Sequence, residues 1–166
     1  GLEDLAIFRS VPGSVVFYPS DAVSAERAVE LAVNHKGICY IRTSRPNSPV
    51  NPTLTSKRLT HKPLLDIYDN EETFEIGKAK IVKQSTEDIL TIVTSGVTLN
   101  EALIASGKLA AEGIHVRVVD LFCVKPVDVE TLEKCAKETG GKILTIEDHY
   151  PEGGVHGNNS FAFPLV

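Results

Sequence analysis

Two short stretches hold the residue types that do chemistry, and each follows an apolar run of the kind that forms a strand. They are Ile41-Arg42-Thr43-Ser44-Arg45-Pro46 and Glu147-Asp148-His149. In open α/β sheets, ligands bind at the carboxyl ends of the parallel strands. An arginine there grips a phosphate or a carboxylate through its planar fork. The ordinary alternative is a surface ion pair, worth at most about 1 kcal/mol. The residues alone leave both readings open. Arg42 and Arg45 are three apart and need not face the same way. An acid beside a histidine can move protons. With no nucleophile in sight, the plainer reading is that Glu147 or Asp148 caps the next turn and His149 hydrogen-bonds locally.

The remaining candidates are weaker. Gly153-Gly154 could present backbone N–H groups to an anion, but the chain has neither a GxGxxG fingerprint nor a Walker loop. Lys57, Arg58, His61 and Lys62 make one loop basic, and such a loop usually just solvates. His149 and His156 are too isolated for a zinc site, which needs a ligand set at recognisable spacing. Cys39, Cys123 and Cys135 are odd in number and scattered, against a disulfide framework or a CxxC metal site. Cys39 reads as a small buried hydrophobe.

The elements that must position these residues follow from periodicity. Val15-Val16-Phe17-Tyr18 is a β-branched and aromatic run ending at Pro19, a buried strand. Ser20-Asp21 offers capping side chains, and Ser24 is a second possible start. Ala25, Ala28, Val29, Ala32 and Val33 fall at helical spacing, with Gly37 as the expected C-terminal cap. Ile38–Ile41 is the next strand. Strand, helix, strand in this order is a βαβ unit with a parallel sheet. Pro46, Pro49, Pro52 and Pro63 then mark a linker. Beyond it, Phe74–Val82 reads as an edge strand, Ile89–Val93 as a buried strand, and Thr98 or Asn100 as the cap of a helix reaching Gly113. Val116–Asp120 is a strand, Pro126 and Asp128 open a helix closed by Gly140-Gly141, and Ile143–Ile146 is the last strand. This alternation predicts a three-layer, doubly wound, mostly parallel α/β sheet, preceded by a partial α/β module. After Gly157 the helical period lapses.

Length and composition agree. The chain has 166 residues, 42% of them hydrophobic and 23% charged, enough for a sizeable core. A net charge of −5 argues against a nucleic-acid partner. No run approaches the roughly 20 apolar residues of a membrane span, and no signal peptide is visible. A reducing, cytoplasmic setting is expected. The chain opens at Gly1 within an amphipathic segment and has no methionine, so it reads as a piece of something longer.

The motifs resemble the animal-type transketolases. Leu2–Pro12 resembles the segment after their donor-substrate and cofactor loop. Phe17-Tyr18-Pro19-Ser20-Asp21 and Lys36–Pro46 continue in register. Phe74–Lys80 is similar to the start of the family's C-terminal domain, and Gly96–Ala102 and Ile146–Tyr150 extend the likeness. The resemblance implies residues 1–46 as the end of a pyrimidine-binding domain, 47–73 as a linker with an atypical insertion, and 74–166 as a C-terminal domain incomplete at its end. It implies transfer of a two-carbon ketol unit between sugar phosphates in the pentose phosphate pathway. Thiamine diphosphate and a divalent metal, magnesium or calcium, would serve a homodimer whose active sites lie between subunits.

Arg45 matches the family arginine that binds the substrate phosphate, and Arg42 has no such match. The family's catalytic, cofactor-binding and metal-binding residues have no counterpart in the 166 residues, so neither cofactor nor metal is expected to bind this chain alone, and no activity is expected from it. Deoxyxylulose phosphate synthases and the β-type subunits of 2-oxo acid dehydrogenases share the domain order. Phe8–Pro12 and Thr43–Pro46 favour transketolase over both. A non-catalytic dimerisation or regulatory module of the same fold is the rival of a different class.

Overall fold

A computed structural model describes residues 3–44 and 67–157. The basic loop residues, most of the expected linker and Arg45 itself therefore lie outside the described residues, as does the tail from Asn158.

Val15–Phe17 (β1) is buried along its whole length. Cys39–Ile41 (β2) lies parallel to it, with Val15 opposite Cys39 and Phe17 opposite Ile41. Helix α2 (Ala22–Asn34) makes the crossover between them. Its start is fixed by a reciprocal cap. The Asp21 carboxylate accepts from the Ser24 amide at 2.8 Å, and the Ser24 hydroxyl accepts from the Asp21 amide at 3.0 Å. Ser24 is thus the inner half of the box and not a separate start. The helix stops at Asn34, short of the expected Gly37 cap. The last turn tightens, with the His35 amide on the Ala32 carbonyl, and His35 is already extended. Ahead of β1, a short helix α1 (Asp4–Ser10) buries Leu5 beside Val16 and Tyr18.

The second sheet has the order β3-β5-β4-β7. Its strands are β3 (Lys80–Lys83), β4 (Thr91–Thr94), β5 (Arg117–Asp120) and β7 (Ile143–Ile146). β4 is parallel to both β5 and β7, and β3 closes one edge antiparallel to β5. Helix α3 (Thr98–Ala111) carries the chain from β4 to β5, and α4 (Val129–Glu138) precedes β7 on the other side of β4. This is the doubly wound, mostly parallel arrangement read from the alternation of elements.

Strand alternation makes the layers. Ile92 and Val118 pack with Leu99 and Ala102 of α3, while Val93 and Val119 pack with Leu132 and Cys135 of α4. Asp128 caps α4, taking the Thr131 amide at 3.1 Å and also the Ala79 amide at 3.0 Å. α3 has no side-chain cap. The Thr98 hydroxyl donates to the carbonyls of Ser95 and Ile146 instead.

One element was not legible. Cys123–Lys125 (β6) leaves the second module and pairs antiparallel with β1, completing the first sheet in the order β2-β1-β6. Phe122 and Phe74 go with it into the core around Phe17, at ring separations of 5.3 Å to Phe17 and 4.5 Å to each other. The two sheets therefore share buried side chains as well as a chain. No helix among the described residues is long and apolar enough to cross a membrane.

Candidate functional site

The carboxyl ends of the two sheets meet at one seam. β1 delivers Tyr18, β2 delivers Arg42, the turn after β4 is Gly96, and Asp148 follows β7. The Arg42 amide continues the β2 ladder by donating to the Phe17 carbonyl at 2.9 Å. Its guanidinium bonds the Asp148 carboxylate at 2.8 Å and the Asp4 carboxylate of α1 at 3.1 Å. It also lies 4.6 Å from the centre of the Tyr18 ring. Tyr18 donates its hydroxyl to Asp148, at 3.0 Å to the nearer oxygen, and Tyr40 donates to Asp4 at 2.7 Å.

The electrostatics follow from that packing. Burial alone would push the Arg42 guanidinium down, but Tyr18, Asp148 and Asp4 outweigh it and hold it above the usual arginine range. Burial and the Asp148 charge push the Tyr18 phenol up to about 12, against the pull of Arg42. Burial works against an ionised Asp4, yet the Tyr40 bond and the Arg42 charge keep it below its ordinary value. A β-carbon at Gly96, where φ is +59°, would clash with the ring carbons of Tyr18 around its hydroxyl end. Glycine is what lets the two modules close here.

The structure separates the sequence candidates. Arg42 is spent on two carboxylates and is no free anion ligand. Glu147 and His149 take the local roles of the plainer reading. The Glu147 carboxylate accepts from the amides of Val155 and His156 at 2.6 and 2.9 Å, where a further helix opens. The amides that hold this carboxylate are those just after the Gly153-Gly154 turn, and the anion they hold belongs to the same chain. The His149 ring nitrogen Nδ1 lies 2.9 Å from the Tyr150 carbonyl, to which it donates. The three cysteines are free thiols. Burial pushes the Cys39 thiol up and the Cys123 thiol up to about 11, against the thiolate form in both.

Sequence reasoning missed Asp4, Tyr18 and Asp120 as polar groups of the seam. Asp120 ends β5 with no exposure at all, and accepts from Ser20 at 3.0 Å and Tyr68 at 2.7 Å. A polar residue closing an apolar parallel strand was the available signal.

Both sides of this seam correspond to known domains. Residues 1–51 match the family model described as transketolase, pyrimidine binding domain, and residues 77–158 match the one described as transketolase, C-terminal domain. The chain belongs to the transketolase family. Tyr18 and Arg42 fall in the first transketolase domain, and Gly96, Asp120 and Asp148 in the second.

Curated relatives agree. Transketolase-like protein 1 of Bos taurus is 52% identical over 154 residues, covering 93% of this chain and 23% of the relative. Transketolase of Rattus norvegicus is 52% identical over 154 residues, covering 93% and 22%. The chain thus spans under a quarter of the length of these relatives. Among solved structures, a split-gene transketolase described as an inactive beta4 tetramer superposes with a TM-score of 0.83 at 33% identity, covering 98% of this chain and 48% of that one.

The described residues do not fit the thiamine diphosphate and metal that a transketolase resemblance implies. No three His, Cys, Asp or Glu side chains among them gather to hold a metal ion. The cation at the exit of β2, Arg42, is already neutralised by Asp4 and Asp148.

Proposed function

We propose that residues 1–166 form the substrate-phosphate side of a transketolase active site that is completed by residues outside this stretch, on the same chain or on another subunit. Residues 1–46 serve as the end of the pyrimidine-binding domain and residues 74–166 as the C-terminal domain. Arg45 binds the sugar phosphate, and the ketol transfer itself is carried out by thiamine diphosphate with magnesium or calcium held elsewhere. On this reading the whole protein works as a dimer in the cytoplasm, within the pentose phosphate pathway.

The observation that carries the reading is the ordered match to both transketolase domains, with Arg45 inside the first. Three residues upstream, Arg42 ties the β2 exit to Asp148 of the second domain. A strand exit held on a rigid seam is the kind of place from which an arginine can be aimed. With 2.8 Å and 3.1 Å bonds to two carboxylates, Arg42 itself serves the scaffold. The chemistry of Arg45 is charge-assisted, bidentate hydrogen bonding to phosphate oxygens.

The split-gene relative, about twice the matched length and described as inactive, is a precedent for a transketolase piece that folds without turning over. The test is an assay of residues 1–166 with thiamine diphosphate, magnesium and a ketose–aldose pair of sugar phosphates. No turnover is expected. A normal rate would overturn the reading.

A further inference from the structure

Asp120 is a buried acid with one oxygen left over. Its Oδ2 accepts from Ser20 and Tyr68, while Oδ1 has no partner although the residue is fully buried. A second carboxyl faces the same place. Asp21, at the cap of α2, accepts with Oδ2 from the backbone amides of Ile67 and Tyr68 at 2.7 and 2.9 Å. Two acids from different modules therefore hold one short segment, Ile67–Tyr68, between them.

Of the cations on the neighbouring elements, Lys80 stands opposite Asp120 on β3, but its ammonium is taken by Glu72 at 2.6 Å. Arg27 of α2 is spent on Glu30 and on the carbonyls of Asn70 and Glu72. Ionising Asp120 thus places a charge on an unpartnered oxygen in a fully buried site, beside another acid.

We propose that Asp120 is a proton-controlled clasp across the seam: neutral Asp120 lets the Ile67–Tyr68 segment dock on the α2 cap, and its ionisation loosens that dock. Burial, with the Asp21 charge adding to it, pushes the Asp120 carboxyl up to about 7 against the pull of the Tyr68 and Ser20 bonds. That places the change in a range a cell visits. The element that yields is the one held from both sides, Ile67–Tyr68. The β5 backbone carrying Asp120 is locked into the sheet on both flanks by β3 and β4. The clasp does not depend on the phosphate-binding reading of Arg45.

The experiment is amide hydrogen exchange of Ile67 and Tyr68 in the 166-residue chain, corrected for the intrinsic pH dependence of exchange. The comparison is with Asp120→Asn, which keeps the shape and cannot ionise. The unmodified chain should lose about tenfold in protection at these two amides between about pH 6 and about pH 8, and the variant should not. Equal behaviour of the two chains, or no loss in either, overturns the proposal. Should the variant fail to fold, the carboxyl-carbon NMR titration of Asp120 in the unmodified chain decides. A midpoint near 7 supports the clasp, and one in the ordinary carboxylate range overturns it.

Discussion

Gly96→Ala is the sharpest probe of how the two modules meet. The added β-carbon would sit among the ring atoms of Tyr18, whose own place is fixed by Asp148 and Arg42. The backbone at Gly96 has φ +59°, a left-handed conformation that costs an alanine roughly 1–2 kcal/mol. Forcing a methyl into a packed contact costs about 1–3 kcal/mol more. The sum is about 4 kcal/mol, or about 10 °C in melting temperature for a chain of this size. Gly107→Ala is the matched control. That position lies within α3 with open space around its β-carbon site, so alanine should stabilise by about 0.5–1 kcal/mol.

Urea and thermal unfolding followed by circular dichroism measure both. The double variant Gly96→Ala/Tyr18→Leu should recover part of the loss, because the two positions touch and their effects cannot add. A Gly96→Ala chain within about 0.5 kcal/mol of the parent would refute the close approach of Tyr18 to the β4 turn.

Three further outcomes follow from the seam and its supports. Asp148→Asn removes the charge that Arg42 and Tyr18 share. It should cost about 2 kcal/mol, the upper range for buried pairs being discounted because Asp148 is partly exposed, and the cost should shrink in high salt. Lys125→Met strips the ammonium that holds the carbonyls of Arg9 and Val11 at 2.8 and 2.6 Å. α1 should then become the first site of limited proteolysis. The pH dependence has two arms. Although burial works against its charge, Asp128 is held below its ordinary value by the Ala79 amide and Thr131. Its stabilisation is present above the unfolded carboxylate range and lost as pH falls through the lowered folded value. Asp120, raised to about 7, does the opposite. Its contribution is complete below about pH 4 and declines until about pH 7, by about 4 kcal/mol at most. Urea midpoints at about pH 4.5 and about pH 7.5 should differ less in Asp120→Asn than in the parent.

Much of the fold was legible because local signals agree with the tertiary ones. Thr91–Thr94 and Ile143–Ile146 are short apolar runs bounded by turn residues, and they pair in parallel, with Ile143–Ile146 at one edge of the second sheet. Asp21 and Asp128 cap helices as their side chains allow. β6 was hidden because three residues before Pro126 carry no period of their own. They are a strand only because β1 offers an edge. The uncapped start of α3 was misread because Thr98 spends its hydroxyl on carbonyls, including that of Ile146, which is distant in sequence. The seam was half legible. Position at a strand end marked Arg42 and Asp148 as polar groups near an edge. That they neutralise each other follows from the docking of two modules, which brings together residues 106 apart in sequence, and no local pattern encodes that. Asp120 looks in sequence like the polar end of a strand, and only the fold shows that it is a fully buried acid.

The central claim is that this chain supplies the phosphate-binding side of a transketolase site through Arg45. Its most direct test is a chimera in which residues 1–157 replace the matching stretch of the Rattus norvegicus enzyme, assayed for ketol transfer with and without Arg45→Ala. The intact chimera should turn over. Arg45→Ala should raise KM for the sugar phosphate by about 10- to 100-fold, the loss of one charge-assisted phosphate contact, with a smaller change in kcat. An Arg45→Ala chimera with an unchanged KM would contradict the account.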